Sequence, residues 1–420
     1  MKHLSSILSC SLGNILEWYD FGLFTIFSSL FSRLFFPAQD PATAMIATFS
    51  IFAIGFFCRP LGALIFGYLG DRIGRAKTLR WSILVIALPT LLIGILPTYE
   101  QIQITAPILL MLVRMCQGIS VGGEYSGNMI YLAETSPNKH RATLTAFAST
   151  GANLGILLAA LVGLITSSWL SESALESWGW RLPYLISGVL CMLLYIFRLK
   201  LHETAVFEYL KRKKEIAVNP IKVVFKHNFP ELMRTFGMVC MGSTFYYFSF
   251  VYIPIFLANK VTFSVHYISG LMTCLILVMV VLTPLAGWLC DYLGRRKMLL
   301  FNAGFVACIV VPGFYLMQSS YFIITVFVLL LFSIASSLEQ GTTSVAVVEN
   351  FPPPARYTGL SLGYNLGNGF LGGTIPIIAE WLVSYTHIII SPAIYVSICA
   401  VITWLVVYFF VPETKGKSLV

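Results

Sequence analysis

Charge is what this sequence has least of. Lysine, arginine, aspartate and glutamate together make up 11% of its 420 residues, against about a quarter in an ordinary soluble domain. Apolar residues reach 57% and mean hydropathy is +0.82. So little charge cannot clothe a water-facing surface, which excludes a set of soluble domains and points to lipid. Paired cysteines are missing too. The nine cysteines lie in or beside apolar runs with no CxxC and no His/Cys cluster, so neither zinc nor a disulfide framework is implied. The six histidines (His3, His140, His202, His227, His266 and His387) fall near loops, which argues against a histidine proton relay at membrane depth. There is no GxxxxGK[ST]. The glycine-rich stretches SVGGEYSG, GANLG and LGYNLGNGFLGG sit in apolar runs, where small residues let helices approach, so ATP-driven work has no support. No catalytic constellation occurs, and neither a metal nor a cofactor is expected.

What is present is a series of long apolar runs. They predict spans near 9–33, 43–69, 80–97, 105–133, 142–169, 181–199, 230–258, 266–290, 298–317, 321–348, 357–385 and 391–411. The fold class expected is an all-α membrane protein of twelve helices in a lipid bilayer. The first run is too long for a removable signal and carries Glu17 and Asp20, so it is expected to stay.

Twenty-one of the 27 Lys and Arg fall in loops of one side. They include Arg72, Arg75, Arg141, Arg198, Arg295, Arg296, Arg356 and the KRKKE run at 211–215; Arg33, Arg181 and Lys260 fall on the other. The positive-inside rule then places both termini and the 200–229 loop in the cytoplasm of a multi-pass inner (plasma) membrane protein. A nucleic-acid partner is not expected, because these charges alternate with spans instead of forming one face.

The polar 200–229 segment divides the spans six and six, into 1–199 and 230–420. GYLGDRIGRAK at Gly67 recurs as GWLCDYLGRRK at Gly287, and Glu124, Glu134 and Arg141 recur as Glu339, Glu349 and Arg356 at one offset of 215. The Gly-x3-Asp-x2-Gly-Arg pattern in both halves resembles the cytoplasmic loop motif of the major facilitator superfamily. GNILEWYDFGLF (13–24), RPLGALIFGYLGDRIGR (59–75), RMCQGISVGGEYSG (114–127), WGWRLPYLI (178–186) and PETKG (412–416) resemble, more narrowly, its metabolite:proton symporter family. That family includes proline/betaine, 2-oxoglutarate, citrate and shikimate transporters. The resemblance implies two six-helix pseudo-repeats, a site between them and alternating access. Its partners would be a small-molecule substrate and a proton, with a proton gradient as the driving force. A monomer is expected.

Several ionisable residues fall inside spans, where each needs a partner or a watery cavity. Glu17 and Asp20 share a face of the first helix. If the first and fourth helices line the cavity, as the resemblance implies, Glu17, Asp20, Arg114, Gln117 and Glu124 surround common water. Proton coupling is assigned to Asp20, Glu124 or Glu17, since burial favours a neutral carboxyl and a nearby Arg a charged one; a fixed pair of Asp20 with Arg59 or Arg114 is the alternative. Substrate contacts are expected from Arg114, Arg59, Gln117, Trp18, Tyr19, Tyr246, Tyr247, Glu339 and Asn365, because aromatic faces beside a carboxylate receive an ammonium. Asn368 stands with Asn365 as a cavity candidate, and Glu380 has the weakest case.

Charge balance in that set favours a zwitterion, an amino acid or betaine, over a di- or tricarboxylate, with the carboxylate directed to Arg114. A drug exporter of the same fold, an uncoupled facilitator and sodium coupling are the alternatives. No heptad tail follows PETKGKSLV, which favours nutrient uptake over osmoregulation. Finally, the resemblance implies that Asp71, Arg72, Arg75, Glu134, Arg141, Asp291, Arg295, Arg296, Glu349 and Arg356 form a charged network that gates the cytoplasmic end, with Glu134 and Arg141, and Glu349 and Arg356, adding opposite charges on that side. A purely topogenic role for the basic residues is the alternative.

Overall fold

The computed structural model describes residues 2–36, 41–260, 264–319 and 321–419; within these, the side chains of Lys2, His3, Leu4, Pro41, Ala42, Phe52, Asn259, Lys260, Val265 and His266 lie outside the described set. The first six spans are α1 (Lys2–Ile26, continued by Ser28–Phe35), α2 (Pro41–Phe57 and Arg59–Arg72), α3 (Arg75–Ile95), α4 (Thr105–Thr135), α5 (Arg141–Trp169) and α6 (Arg181–Arg198). Two short helices, Ala205–Lys213 and Pro220–His227, occupy the linker. The second six are α7 (Phe229–Tyr247 through Ile253–Lys260), α8 (Val265–Leu293), α9 (Arg295–Met317), α10 (Phe322–Glu349), α11 (Arg356–Leu366 through Ile375–Thr386) and α12 (Ser391–Phe410).

Eleven of these helices are long and apolar enough to cross a membrane. α1 is the exception, since Ser9, Asn14, Glu17 and Asp20 interrupt its apolar run; all four are buried, and α1 packs against α5 instead of facing lipid alone. It also begins at Lys2, ahead of the predicted 9, because KHLSS is polar without being helix-breaking. Around the outside, Trp81, Ile95, Trp288, Phe301, Ile323 and Ile377 are more than half exposed, a surface suited to hydrocarbon.

Close approach is achieved with small residues. Gly118 and Gly122 of α4 rest on the backbone carbonyls of Gly55 and Arg59 in α2, where an added Cβ would overlap the carbonyl oxygen. The two halves meet along α5 with α8 and α10, and along α11 with α2 and α4. At the end of the bundle that carries the linker, hereafter the linker end, Gly74 (φ +113°) and Gly294 (φ +104°) turn the chain from α2 into α3 and from α8 into α9. A side chain is disfavoured there both by φ and by the carboxylates of Glu203 and Glu413 lying against the two glycines. Toward the middle, α7 and α11 each contain a π-helical stretch, Phe248–Tyr252 and Gly367–Gly372, which shifts the facing of the side chains around it.

Candidate functional site

The linker end is closed by two copies of one charge pattern. Asp71, at the end of α2, accepts from the backbone N–H of Tyr357 (3.1 Å) and Thr358 (2.9 Å), at the start of α11. Asp291, at the end of α8, accepts from Ala142 (3.0 Å) and Thr143 (2.9 Å), at the start of α5. Each carboxylate thus caps a helix N-terminus of the other half, where free N–H groups and the helix dipole favour negative charge. Glu134 bridges Arg75 of its own half (3.3 Å) and Arg356 of the other (2.8 Å). Glu349 in the same way bridges Arg295 (3.0 Å) and Arg141 (2.7 Å). The opposite charges of each half, Glu134 and Arg141 or Glu349 and Arg356, therefore meet across the boundary and not within a half. Symmetry explains this, because the repeat brings the corresponding loops face to face. Arg72 and Arg296 stand outside the pattern: Arg72 donates to the Tyr68 hydroxyl (2.5 Å), and Arg296 to the Tyr408 carbonyl (2.6 Å).

Four residues of this pattern were given no role in it from the sequence. Glu203 accepts from Arg75 N (2.9 Å) and Ala76 N (3.2 Å), while Thr204 donates to Glu134 (2.6 Å). Glu413 and Thr414 do the same for Arg295 N (2.9 Å), Arg296 N (3.1 Å) and Glu349 (2.5 Å). The signal was a Glu-Thr pair just after both the sixth and the twelfth helix, with its partner hidden outside PETKG as HET.

Deeper in the first half, the buried charges separate into two groups. Thr90 and Gln117 (2.7 Å) both donate to Asp20 Oδ2, and Arg114 donates to Gln117 Oε1 (2.7 Å). Asp20 and Arg114 therefore communicate through a neutral amide, and the Arg114 guanidinium lies 3.9 Å from the Phe24 ring centre. Glu124 does not join them. Its oxygens are taken by Arg198 Nη2 (2.5 Å) and Nη1 (2.9 Å), Ser82 (2.5 Å) and Asn128 (2.9 Å). The common water proposed for Glu124 with Arg114 is thus replaced by a second, saturated cluster. Arg198 corrects its loop assignment as well: it ends α6 but is fully buried, also donating to Leu79 O (2.6 Å) and Ser9 O (3.1 Å). A long side chain at a helix end can turn to water or fold inward. Here the carboxylate of Glu124 decides.

Glu17 is 1% exposed, and neither oxygen has a hydrogen-bond partner among the described residues. Arg59 is buried against aromatic rings, with Phe56 4.0 Å, Phe21 5.1 Å and Trp18 5.4 Å from its guanidinium carbon, and its Nε and Nη2 likewise make no hydrogen bond. The Phe56 ring that it covers meets the Tyr247 ring edge-on, with 6.1 Å between centres.

Between the halves is a cavity of about 50 Å³, lined among others by Trp18, Tyr125, Asn153, Tyr246, Tyr247, Glu339, Gln340, Tyr364 and Asn368. Of the expected substrate contacts, Trp18, Tyr246, Tyr247 and Glu339 line it, while Arg59 lies behind the rings of Trp18 and Phe56. Arg114 and Gln117 belong to the Asp20 group instead. Tyr19 packs on the far side of α1 among Leu23, Phe24 and Tyr184, because adjacent residues of a helix cannot share a face. Asn365 donates to Gly122 O (2.9 Å) across the boundary, and Asn368, three residues on, lines the cavity. Tyr125 and Tyr364 were missed; their rings lie 5.3 Å apart, with Trp18 6.3 Å from Tyr125. Glu339 makes no ion pair among the described residues.

Paired six-helix repeats, a closed charged end and a small central cavity holding a carboxylate with no ion pair among the described residues define a membrane carrier of small molecules working between two bundles. A profile of the Major Facilitator Superfamily matches residues 10–375 and 235–419, and the chain belongs to that superfamily, as a secondary transporter and not an enzyme. It is 32% identical over 423 residues to the glycine betaine/proline/ectoine/pipecolic acid transporter OusA of Dickeya dadantii, covering 99% of this chain and 84% of that one. To the proline/betaine transporter of Salmonella typhimurium it is also 32% identical, over 427 residues, 100% of this chain and 85% of the relative. Among solved structures, the proton:xylose symporter XylE bound to 6-bromo-6-deoxy-D-glucose has the same fold, with a TM-score of 0.80 at 20% identity over 100% of this chain and 98% of that one.

Proposed function

We propose that this transporter carries a small zwitterion, a betaine or an imino or amino acid, together with a proton, into the cytoplasm by alternating access. The observation that carries the substrate class is Glu339. A carboxylate with no cation paired to it among the described residues, set in a cavity walled by Trp18, Tyr125, Tyr246, Tyr247 and Tyr364, receives an ammonium through charge and ring faces together. The substrate carboxylate is assigned to Arg59, behind the cavity's Trp18 and with Nε and Nη2 making no hydrogen bond among the described residues, in place of Arg114, which Gln117 and Phe24 already engage. The names of the relatives support the same class.

Proton coupling is assigned to Asp20. Glu124 is held by a guanidinium, a hydroxyl and an amide and has no reason to change its charge during a cycle, whereas Asp20 faces neutral donors with Arg114 one residue removed. Its protonation releases Gln117, and Gln117 in turn releases Arg114. The segments 1–199 and 230–420 act as the two rocking units joined by 200–229, with the linker end and both termini cytoplasmic in the inner membrane, and the working unit is a monomer.

Competition tests this reading. In proteoliposomes, uptake of labelled glycine betaine or proline should be displaced by other zwitterions and not by succinate, 2-oxoglutarate or citrate. Displacement by the organic acids alone would overturn the substrate class.

A further inference from the structure

The segment that follows α12 does more than end the bundle. Lys417 N donates to Thr414 O at 3.0 Å with Gly416 at φ +79°, the geometry of a tight turn whose third residue is left-handed. The turn sends residues 417–419 back beneath the bundle, along the loop between α10 and α11. There Arg141 Nη1 donates to Lys417 O at 3.0 Å, and Arg356 Nη2 donates to Leu419 O at 2.9 Å. These are the two guanidiniums that cross between the halves to Glu349 and Glu134. The Leu419 side chain is buried in the same apolar cluster as Phe351, Ala355, Val206 and Val224. Thr414 holds Glu349, and Glu413 holds the start of α9.

We propose that residues 412–419 are a strap, carried by the second half, that helps lock the linker end shut by holding Arg141 of the first half and must release it before that end opens. Glu413 anchors the strap to the second half, so separating the halves pulls Arg141 away from Lys417 O. Opening therefore breaks the Arg141–Lys417 bond along with the two carboxylate bridges, while Arg356, in the same half as the strap, keeps its hold on Leu419. Anything that holds the strap away, whether a substitution or a molecule that engages the segment, shifts the transporter toward the state open at the linker end. The inference rests on the reading of that end as a gate, but not on the identity of the substrate.

The test uses the full-length protein with native cysteines replaced and one reporter, Ser361→Cys, whose native hydroxyl is buried against Ser126 of the other half (2.8 Å). Labelling by a polar maleimide reads opening. Gly416→Ala strains the turn without a clash, since nothing lies within 4 Å of the added methyl. A left-handed alanine should raise the fraction open on the order of five-fold, and removal of 415–420 should raise it further. Unchanged labelling in both variants overturns the strap. Glu349→Gln, measured alongside, separates the two readings: if it raises labelling where the strap variants do not, only the strap falls, and if it does not, the gate falls with it. Should the deletion fail to fold, Gly416→Ala decides.

Discussion

Arg356 at the start of α11 donates to Glu134 at the end of α4 at 2.8 Å, across the boundary between the halves. Both side chains are buried, and Arg75 lies on the other side of the same carboxylate at 3.3 Å. A buried carboxylate neutralised by one cation from each half ties the closed state to the contact between halves. Separating the halves leaves each charge short of a partner unless water replaces it.

Glu134→Gln keeps the shape and removes the charge. Breaking a buried pair from one side costs about 3–5 kcal/mol, so the closed linker end should lose its advantage. Labelling of Ser361→Cys by a polar maleimide should rise several-fold, and Glu349→Gln should do the same by symmetry. Equal labelling in parent and both variants would reduce these charges to topology signals.

Glu124 and Arg198 are expected to matter for stability instead of coupling. Either Glu124→Gln or Arg198→Gln should lower the melting temperature of the purified protein. The double substitution should recover part of the loss, as a directly coupled pair does in a double-mutant cycle. Strict additivity would dissolve the pair.

The spans, the repeat and the charged gate were legible because each is written in local pattern: apolar runs, two copies of Gly-x3-Asp-x2-Gly-Arg, and one offset shared by three charges. Partner choice was not. Whether Glu134 meets Arg141 or Arg356 depends on how two repeats face each other, and whether Arg198 meets water or Glu124 depends on one rotamer at a helix end. Tyr19 was drawn into the site by its neighbours in sequence, while Tyr125 and Tyr364, distant in sequence, were brought there by packing. The Glu-Thr caps at 203–204 and 413–414 were readable in principle, but only one copy carried the recognisable motif.

Glu339→Gln should raise the KM for a zwitterion about ten-fold or more, the loss of one charge-assisted contact being worth roughly 1.5–3 kcal/mol. The variant should fold as the parent does, because Glu339 makes no ion pair among the described residues. An unchanged KM for glycine betaine and proline would remove it from the site.

The two caps should separate on titration. Burial pushes the Glu203 carboxyl above its ordinary 4.5, outweighing the N–H groups of Thr204, Ala76 and Arg75. Burial acts the same way on Glu413, but the N–H groups of Lys415, Arg295, Arg296 and Thr414 prevail and hold it below 4.5. The contribution of Glu203 is present at low pH and is lost as pH rises through its raised value. The contribution of Glu413 is present above 4.5 and is lost as pH falls through its lowered value. Carboxyl-carbon NMR of the labelled protein should find Glu203 protonating first on acidification; the reverse order would mean the cap geometry is wrong.

Coupling is read most directly by comparing accumulation with exchange in proteoliposomes for the parent and Asp20→Asn. Under an acid-outside gradient the parent should concentrate labelled glycine betaine or proline inside, and should stop when a protonophore collapses the gradient. Asp20→Asn should still exchange labelled for unlabelled substrate but concentrate none. Accumulation by the parent that ignores the gradient, or accumulation by Asp20→Asn equal to the parent's, would contradict proton-coupled carriage through Asp20.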